Sequence, residues 1–365
     1  MTRLAETGIL KFDERYFPKI WGGRNLQSVY GKPLPRAEPI GEAWLVADHA
    51  QHVSTVVDGP LAGKTLRQLM QEEAPALLGE RVKPTPDGRF PLLLKLLDAR
   101  DYLSIQVHPD DAAARRLDEP DAGKTECWYV LDANDDSELF CGMASDVTRE
   151  QFIRAIERGN TADSITRFGV QAGDAVFVPA GTIHAIGPGI VLAEIQQNSD
   201  ITYRVYDWDR PGDNGQPRAL HIDKALEVTC FGSHHCGKQQ PLQYETAGAR
   251  VDVFAACPYF AAERVAIDMQ HERLTNGSLH LLLGINGLMS VSAGERRCAL
   301  VPGDAYLIPA AVPAFTVDGS GAFLHYYVPD PATDIIAPLT RAGHTAAAIA
   351  ALGGDPASSE LAAYL

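Results

Sequence analysis

GDAVFVPAGTIH occupies residues 173–184, and GDAYLIPAAVPA occupies residues 303–314. Each opens with Gly-Asp, runs through a short apolar stretch and turns at Pro-Ala. A short apolar run rich in β-branched and aromatic residues, closed off by Gly and Pro, reads as a buried strand rather than a helix. The first copy continues to Gly181 and His184. The second has Ala311 and Ala314 in their places. The strand–turn unit is needed twice, whereas the histidine is needed once.

Working outward, similar short segments recur: IVLAEIQ (190–196), TYRVYDW (202–208), HLLLGING (280–287), LMSVSAG (288–294) and AFLHYYV (322–328). Many short strands between Gly, Pro and Asp turns predict a mainly β protein built as a sandwich or barrel. Helices are few. Capping boxes, Thr65 with Gln68 and Thr148 with Gln151, predict helices in TLRQLMQEEAPALL and TREQFIRAIERG. A third is predicted through HIDKALEV (221–228), and short ones in the Ala-rich stretches beyond residue 331.

The chain has 365 residues, about the length of two domains, and a net charge of -15. Nucleic acid and anionic membranes recruit basic patches, so neither is the expected partner. No run approaches the ~18 apolar residues of a membrane span. The opening MTRLAETGILKFDERYF has no long apolar stretch, so a cytoplasmic location without a secretory leader is expected. Six cysteines, at 127, 141, 230, 236, 257 and 298, form no C-x-x-C pair and are expected to be free thiols. The HHC cluster at 234–236 has no second ligand group at a recognisable spacing and is not read as a metal site.

His184 has companions. In SIQVHPDD, Gln106 and His108 lie two apart, on one face of a strand. In GKTECWYVL, Glu126 shares a face with Trp128 and Val130. A carboxylate facing an apolar interior is costly unless paired or bound to a cation. Two histidines, a glutamate and an amide oxygen suit a divalent metal with open positions, with zinc the expected ion and iron, manganese and cobalt the alternatives. In FPLLLKLLDA, Leu93, Lys95 and Leu97 share a face. If buried beside a dication, Lys95 would have its pKa lowered and would serve as an acid or base near neutral pH. The Gly-, Pro- and Asp-rich loop 207–221 is either a lid or an ordinary surface loop.

Gly173, Pro179, Gly181 and His184 fit Gly-x5-Pro-x-Gly-x2-His, which resembles the second motif of the cupin family. That resemblance implies two cupin-type jelly-roll β-barrels with a few short helices inserted. The expected division is a metal-binding domain over 1–237, a degenerate metal-free one over 238–330 and an Ala-rich tail over 331–365. The match extends further. KIWGG (19–23), GEAWLVADH (41–49), FPLLLKLLDA (90–99), LSIQVHPDD (103–111), GKTECWYV (123–130), VPAGTIHAIG (178–187) and EIQQNSDITYRVYDWDR (194–210) together resemble the type I phosphomannose isomerases, and most of all their shorter bacterial form.

The resemblance implies an aldose–ketose isomerase that interconverts mannose 6-phosphate and fructose 6-phosphate through a cis-enediol. It implies one zinc ion on Gln106, His108, Glu126 and His184, with Gln106 the ligand that some short-form members replace. Arg204 matches the family's active-site arginine. Lys95 and Glu194 fall at polar active-site positions. Ser104 and Lys124 are expected at the 6-phosphate, and His49 at the sugar ring. The partner is then a small sugar phosphate, and the chain a monomer or homodimer. Two other functions share parts of this pattern. A non-catalytic sugar-phosphate-binding cupin would keep the scaffold but lose the arginine or the ligands. A non-haem iron oxygenase also uses two histidines and a carboxylate.

Overall fold

In a computed structural model, residues 3–36, 38–212, 214–232, 236–356 and 359–365 are described. The architecture is mainly β. Contacts divide it into two compact units. One comprises Tyr16–Trp44 and Leu94–Gln239; the other comprises Met1–Arg15, Leu45–Leu93 and Gln240–Leu365.

The first unit is built on two sheets. One runs in the order Arg15–Gly23, Ile40–Val46, Leu92–Ala99, Ile190–Gln197, Glu126–Ala133, Ala175–Val178. The other runs Tyr203–Tyr206, Ile105–Val107, His184–Ile186, Glu138–Met143, Ile165–Gly169. Trp128, Val130, Val176, Val178 and Leu192 form one buried cluster, and Ile105, Val107, Phe140 and Val205 another. The alternation expected for Glu126, Trp128 and Val130 is followed, because burying that face removes apolar area from water.

The second unit carries one larger sheet, in the order Leu242–Thr246, Ala249–Ala256, Ala261–Ile267, Ala314–Tyr327, His280–Ala293, Arg296–Leu300. Ala305–Ile308, the strand of the second repeat, pairs with His280–Ala293. Among the described residues no sheet closes on itself. No described helix is long and apolar enough to cross a membrane.

The expected capping boxes are present. Thr65 and Gln68 open the helix Leu66–Leu78, which kinks at Glu73 ahead of Pro75. Thr148 and Gln151 open Arg149–Glu157. The helix in HIDKALEV spans Ile222–Val228.

One expectation is corrected. Cys141 and Cys236 form a disulfide, while Cys127, Cys230, Cys257 and Cys298 are not disulfide-bonded. Their 95-residue separation leaves no sequence signal; only the fold brings their Cα atoms to 5.5 Å.

Gly181 shows why the first repeat needs glycine. Its φ is +84°, and an added Cβ would lie 2.6 Å from Cys230 Sγ and 3.0 Å from Val228 O. Its N–H donates to the His108 carbonyl at 2.8 Å, tying the turn before His184 to another candidate ligand. Ala311, its counterpart, has no positive φ, so the second turn needs no glycine. Gly181→Ala is therefore expected to cost about 1–3 kcal/mol, from left-handed backbone strain plus the clash. Urea unfolding checks the loss, and zinc titration is expected to show weakened binding alongside it.

Candidate active site

His108 and His184 are both held at Nδ1 by backbone carbonyls. His108 Nδ1 lies 2.7 Å from Ile201 O, and His184 Nδ1 lies 2.9 Å from Thr182 O. A carbonyl only accepts, so each Nδ1 carries the hydrogen and donates it. That leaves both Nε2 atoms as lone pairs, and both face Glu126. His108 Nε2 is 3.6 Å from Oε2, and His184 Nε2 is 3.4 Å from Oε1. The ligand atoms of the three residues all lie within 4.8 Å of one another. All three side chains are about 1% exposed.

This triad has the chemistry of a metal centre. Two neutral imidazole nitrogens and a carboxylate oxygen converge, with backbone carbonyls fixing ring orientation. Burial pushes both histidines below their ordinary pKa, His184 to about 4, and Lys124 adds to the effect on each. Neutral imidazole is the form that binds metal. Lys124 Nζ lies 2.9 Å from Glu126 Oε2, yet that oxygen accepts no hydrogen bond. A buried carboxylate oxygen left in that state is what a cation would satisfy. Gln106 stands opposite His184 in the strand ladder, its amide nitrogen 3.4 Å from Nε2 and its oxygen accepting from Ser104.

The triad borders a pocket of roughly 280 Å³, lined by seven of the expected residues: Lys95, Ser104, Gln106, Lys124, Glu126, Glu194 and Arg204. His108 and His184 are buried beside it. His49 is not among the lining residues. It lies in a two-residue strand paired with His52–Val53, and its Nδ1 accepts from the Gln51 N–H. His234 and His235 fall outside the described residues. Sequence reading missed Lys19, Glu42, Asp200, Thr202, Arg218 and His221, all of which line the pocket. Glu42 carried a usable signal, as a charge inside the apolar run IGEAWLV. Loop 207–221 contributes Arg218 and His221, so it is more than a surface connection.

Lys95 is ringed by carboxylates. Its Nζ lies 3.6 Å from Glu42, 3.4 Å from Glu194 and 3.9 Å from Asp200. Burial opposes its charge, but these carboxylates outweigh burial and hold it above its ordinary range. These neighbours favour its charged form. Glu194 behaves oppositely. Burial, with the nearby Glu126 charge, raises its pKa. Its Oε2 accepts from the Trp128 indole at 3.2 Å, while its buried Oε1 accepts no hydrogen bond. The Arg204 Nε donates to Ser104 Oγ at 3.2 Å, and its Nη1 to Ala219 O at 3.1 Å.

The family model for phosphomannose isomerase type I, catalytic domain, matches residues 9–154, and that for mannose-6-phosphate isomerase, cupin domain, matches 250–328. A probable mannose-6-phosphate isomerase of Bacillus subtilis, GmuF, is 39% identical over 84% of this chain and 95% of its own. The chain belongs to the type I phosphomannose isomerase family. The mannose-6-phosphate isomerase of Streptococcus mutans is 36% identical over 82% of this chain and 92% of its own. The crystal structure of the B. subtilis mannose 6-phosphate isomerase matches with a TM-score of 0.80 and 34% identity, over 87% of this chain and 99% of that one. A zinc-bound mannose 6-phosphate isomerase shares the fold, with a TM-score of 0.71 at 18% identity over 88% of this chain and 99% of that one. The phosphomannose isomerase family is thus reached independently of the site's geometry.

The depressed histidine pKa has a consequence for metal-free protein. Unfolded His184 takes up a proton below about 6.5, whereas the folded residue refuses it until about 4. Its contribution is fully present above 6.5 and is lost as the pH falls towards 4. The shift corresponds to at most about 3 kcal/mol. Urea unfolding of chelated protein at pH 7 and pH 4.5 is expected to show this loss, and a His184→Gln variant a smaller one.

Proposed function

We propose that this chain is a metal-dependent aldose–ketose isomerase that interconverts mannose 6-phosphate and fructose 6-phosphate through a cis-enediol. The observation that carries the reading is the convergence of His108, Glu126 and His184 at a pocket that also receives Arg204. The mannose-6-phosphate isomerases among the chain's relatives, and the zinc-bound form of one structural neighbour, support it.

In this reading His108, Glu126 and His184 hold one divalent ion, zinc by preference, with Gln106 as the fourth ligand through its amide oxygen. Such an ion supplies Lewis acidity towards the oxygens on carbons 1 and 2. Glu194 carries the proton from carbon 2 to carbon 1. Its raised pKa brings it nearer the working pH, and its unbonded Oε1 is available to a substrate hydrogen. Lys95 holds the carboxylates around it and stabilises negative charge as the proton leaves. Arg204 stabilises the developing enediolate or the phosphate, and Ser104, bonded to it, belongs at the phosphate end. Lys124, beside Glu126, is better placed near the ligands than at the phosphate. His49 is assigned no role.

The region up to 237 is the catalytic part in this view, and 238–330 a metal-free copy of the same jelly-roll plan. The chain is read as a monomer or a homodimer. A sugar-phosphate dianion does not cross a bilayer unaided, which suits a cytoplasmic enzyme.

A coupled assay on mannose 6-phosphate, with metal content measured in parallel, tests the reading. Turnover is expected to vanish on chelation and return with zinc, and Arg204→Ala to lower kcat by about 10²–10³. Sugar-phosphate binding without turnover in the metal-loaded protein would favour the sensor. Oxygen uptake with bound iron would favour the oxygenase.

A further inference from the structure

Five cations line the pocket, and most are already compensated. Lys19 Nζ is 2.8 Å from Glu42 Oε1. Lys95 is held by Glu42, Glu194 and Asp200, and Lys124 lies against Glu126. Arg204 makes no ion pair among the described residues, and Arg218 is held in a particular way. Its Nε donates to Asp207 Oδ2 at 2.6 Å and its Nη2 to Oδ1 at 2.5 Å. One edge of the guanidinium is fully used, and Nη1 has no partner among the described residues.

Asp207 is itself immobilised. It is 7% exposed and also accepts from Arg210 Nη2 at 3.1 Å. The two residues after it, Trp208 and Asp209, both have left-handed backbone, with φ of 57° and 50°. Residues without a glycine's freedom hold that conformation only where the surroundings enforce it. Here the Trp208 indole donates to Leu103 O at 2.7 Å and its ring packs 4.3 Å from Tyr102. The anchor is next in sequence to Ser104, which bonds Arg204. Two guanidinium groups are thus fixed on one pocket, and after burial Arg218 is the largest influence disfavouring the charge on Arg204. Mutual repulsion of this kind is relieved by an anion bound between them.

We propose that Arg218, oriented by Asp207, binds the phosphate group of the substrate and sets the preference for phosphorylated over free sugar. Asp207 is a positioning residue. The assignment rests on the isomerase reading for the identity of the sugar, though not for the anion. Phosphate binding is made equally in ground and transition states, so its loss raises KM and spares kcat.

The test uses the zinc-loaded full chain with Arg218→Gln, Arg218→Lys and Asp207→Asn. Inorganic phosphate is titrated by calorimetry, and kcat and KM are measured for mannose 6-phosphate. Arg218→Gln is expected to weaken phosphate binding and raise KM at least about tenfold, with kcat within threefold. Arg218→Lys should fall between it and wild type, because it keeps the charge but loses the fork. Asp207→Asn should raise KM severalfold with the arginine still present. If phosphate affinity and KM stay within twofold of wild type in Arg218→Gln, the proposal is overturned. The same holds if Tm and kcat fall while phosphate affinity is kept. If wild type binds phosphate through Arg218 but does not turn over mannose 6-phosphate, the phosphate site stands and the isomerase reading fails.

Discussion

Glu126 is buried to about 1% exposure between two imidazoles whose hydrogens are committed to the carbonyls of Ile201 and Thr182. Neither ring in its neutral form can donate to it. Removing a carboxylate from water without such donors is among the costlier things a fold does. Several features follow from that arrangement. The ring nitrogens present lone pairs, so the group repels itself unless a positive charge joins it. Lys124, 2.9 Å away, supplies one in its absence. The Gly181 turn, bonded to the His108 backbone, fixes the distance between elements that bring in separate ligands.

Around that centre the pocket reconciles an acidic protein with an anionic substrate by sorting charges. Lys95 is encircled by three carboxylates and stays positive. Glu42 is driven the other way, since Lys95 and Lys19 outweigh its burial and hold it well below the usual carboxylate range. Glu194, sharing Lys95 with Glu42 and Asp200 and lying near Glu126, is the carboxyl with its pKa raised. Two carboxylates facing one lysine thus acquire opposite acid–base character from their other neighbours.

Much of this was legible because strand alternation is rigid. Lys95 with Leu97 and Glu126 with Trp128 each line the pocket as shared faces predict. The convergence of His108, Glu126 and His184 came partly from long motifs and partly from the cost of an inward carboxylate. Illegible features depended on distant neighbours. The sequence around Lys95 shows leucines, whereas its protonation is set by Glu42, Glu194 and Asp200. Cys141 and Cys236 meet only through the fold. Arg218 sits in a stretch that reads as loop, and its direction is decided by a bond to Asp207.

The unit that carries the second repeat arranges similar residue types differently. It also buries a glutamate near two histidines. There His280 Nε2 lies 3.0 Å from the Thr275 carbonyl, and His280 Nδ1 lies 2.7 Å from His325 Nε2. His325 Nδ1 lies 3.0 Å from Glu263. These three links run in a line between two acceptors, a carbonyl and a carboxylate. Two neutral imidazoles bring two hydrogens to three links, and burial holds both histidines below their ordinary pKa range, so one of the three contacts goes without a hydrogen. Tyr327 also donates to Glu263, at 2.6 Å. Glutamate and histidines here satisfy one another in series, and their lone pairs do not converge on a common point. In the first unit the backbone carbonyls draw the imidazole hydrogens outward, and convergence follows. The difference between a cation site and a hydrogen-bonded core thus lies in which way the ring hydrogens are made to face, and that is set by where Ile201, Thr182 and Thr275 place their carbonyl oxygens.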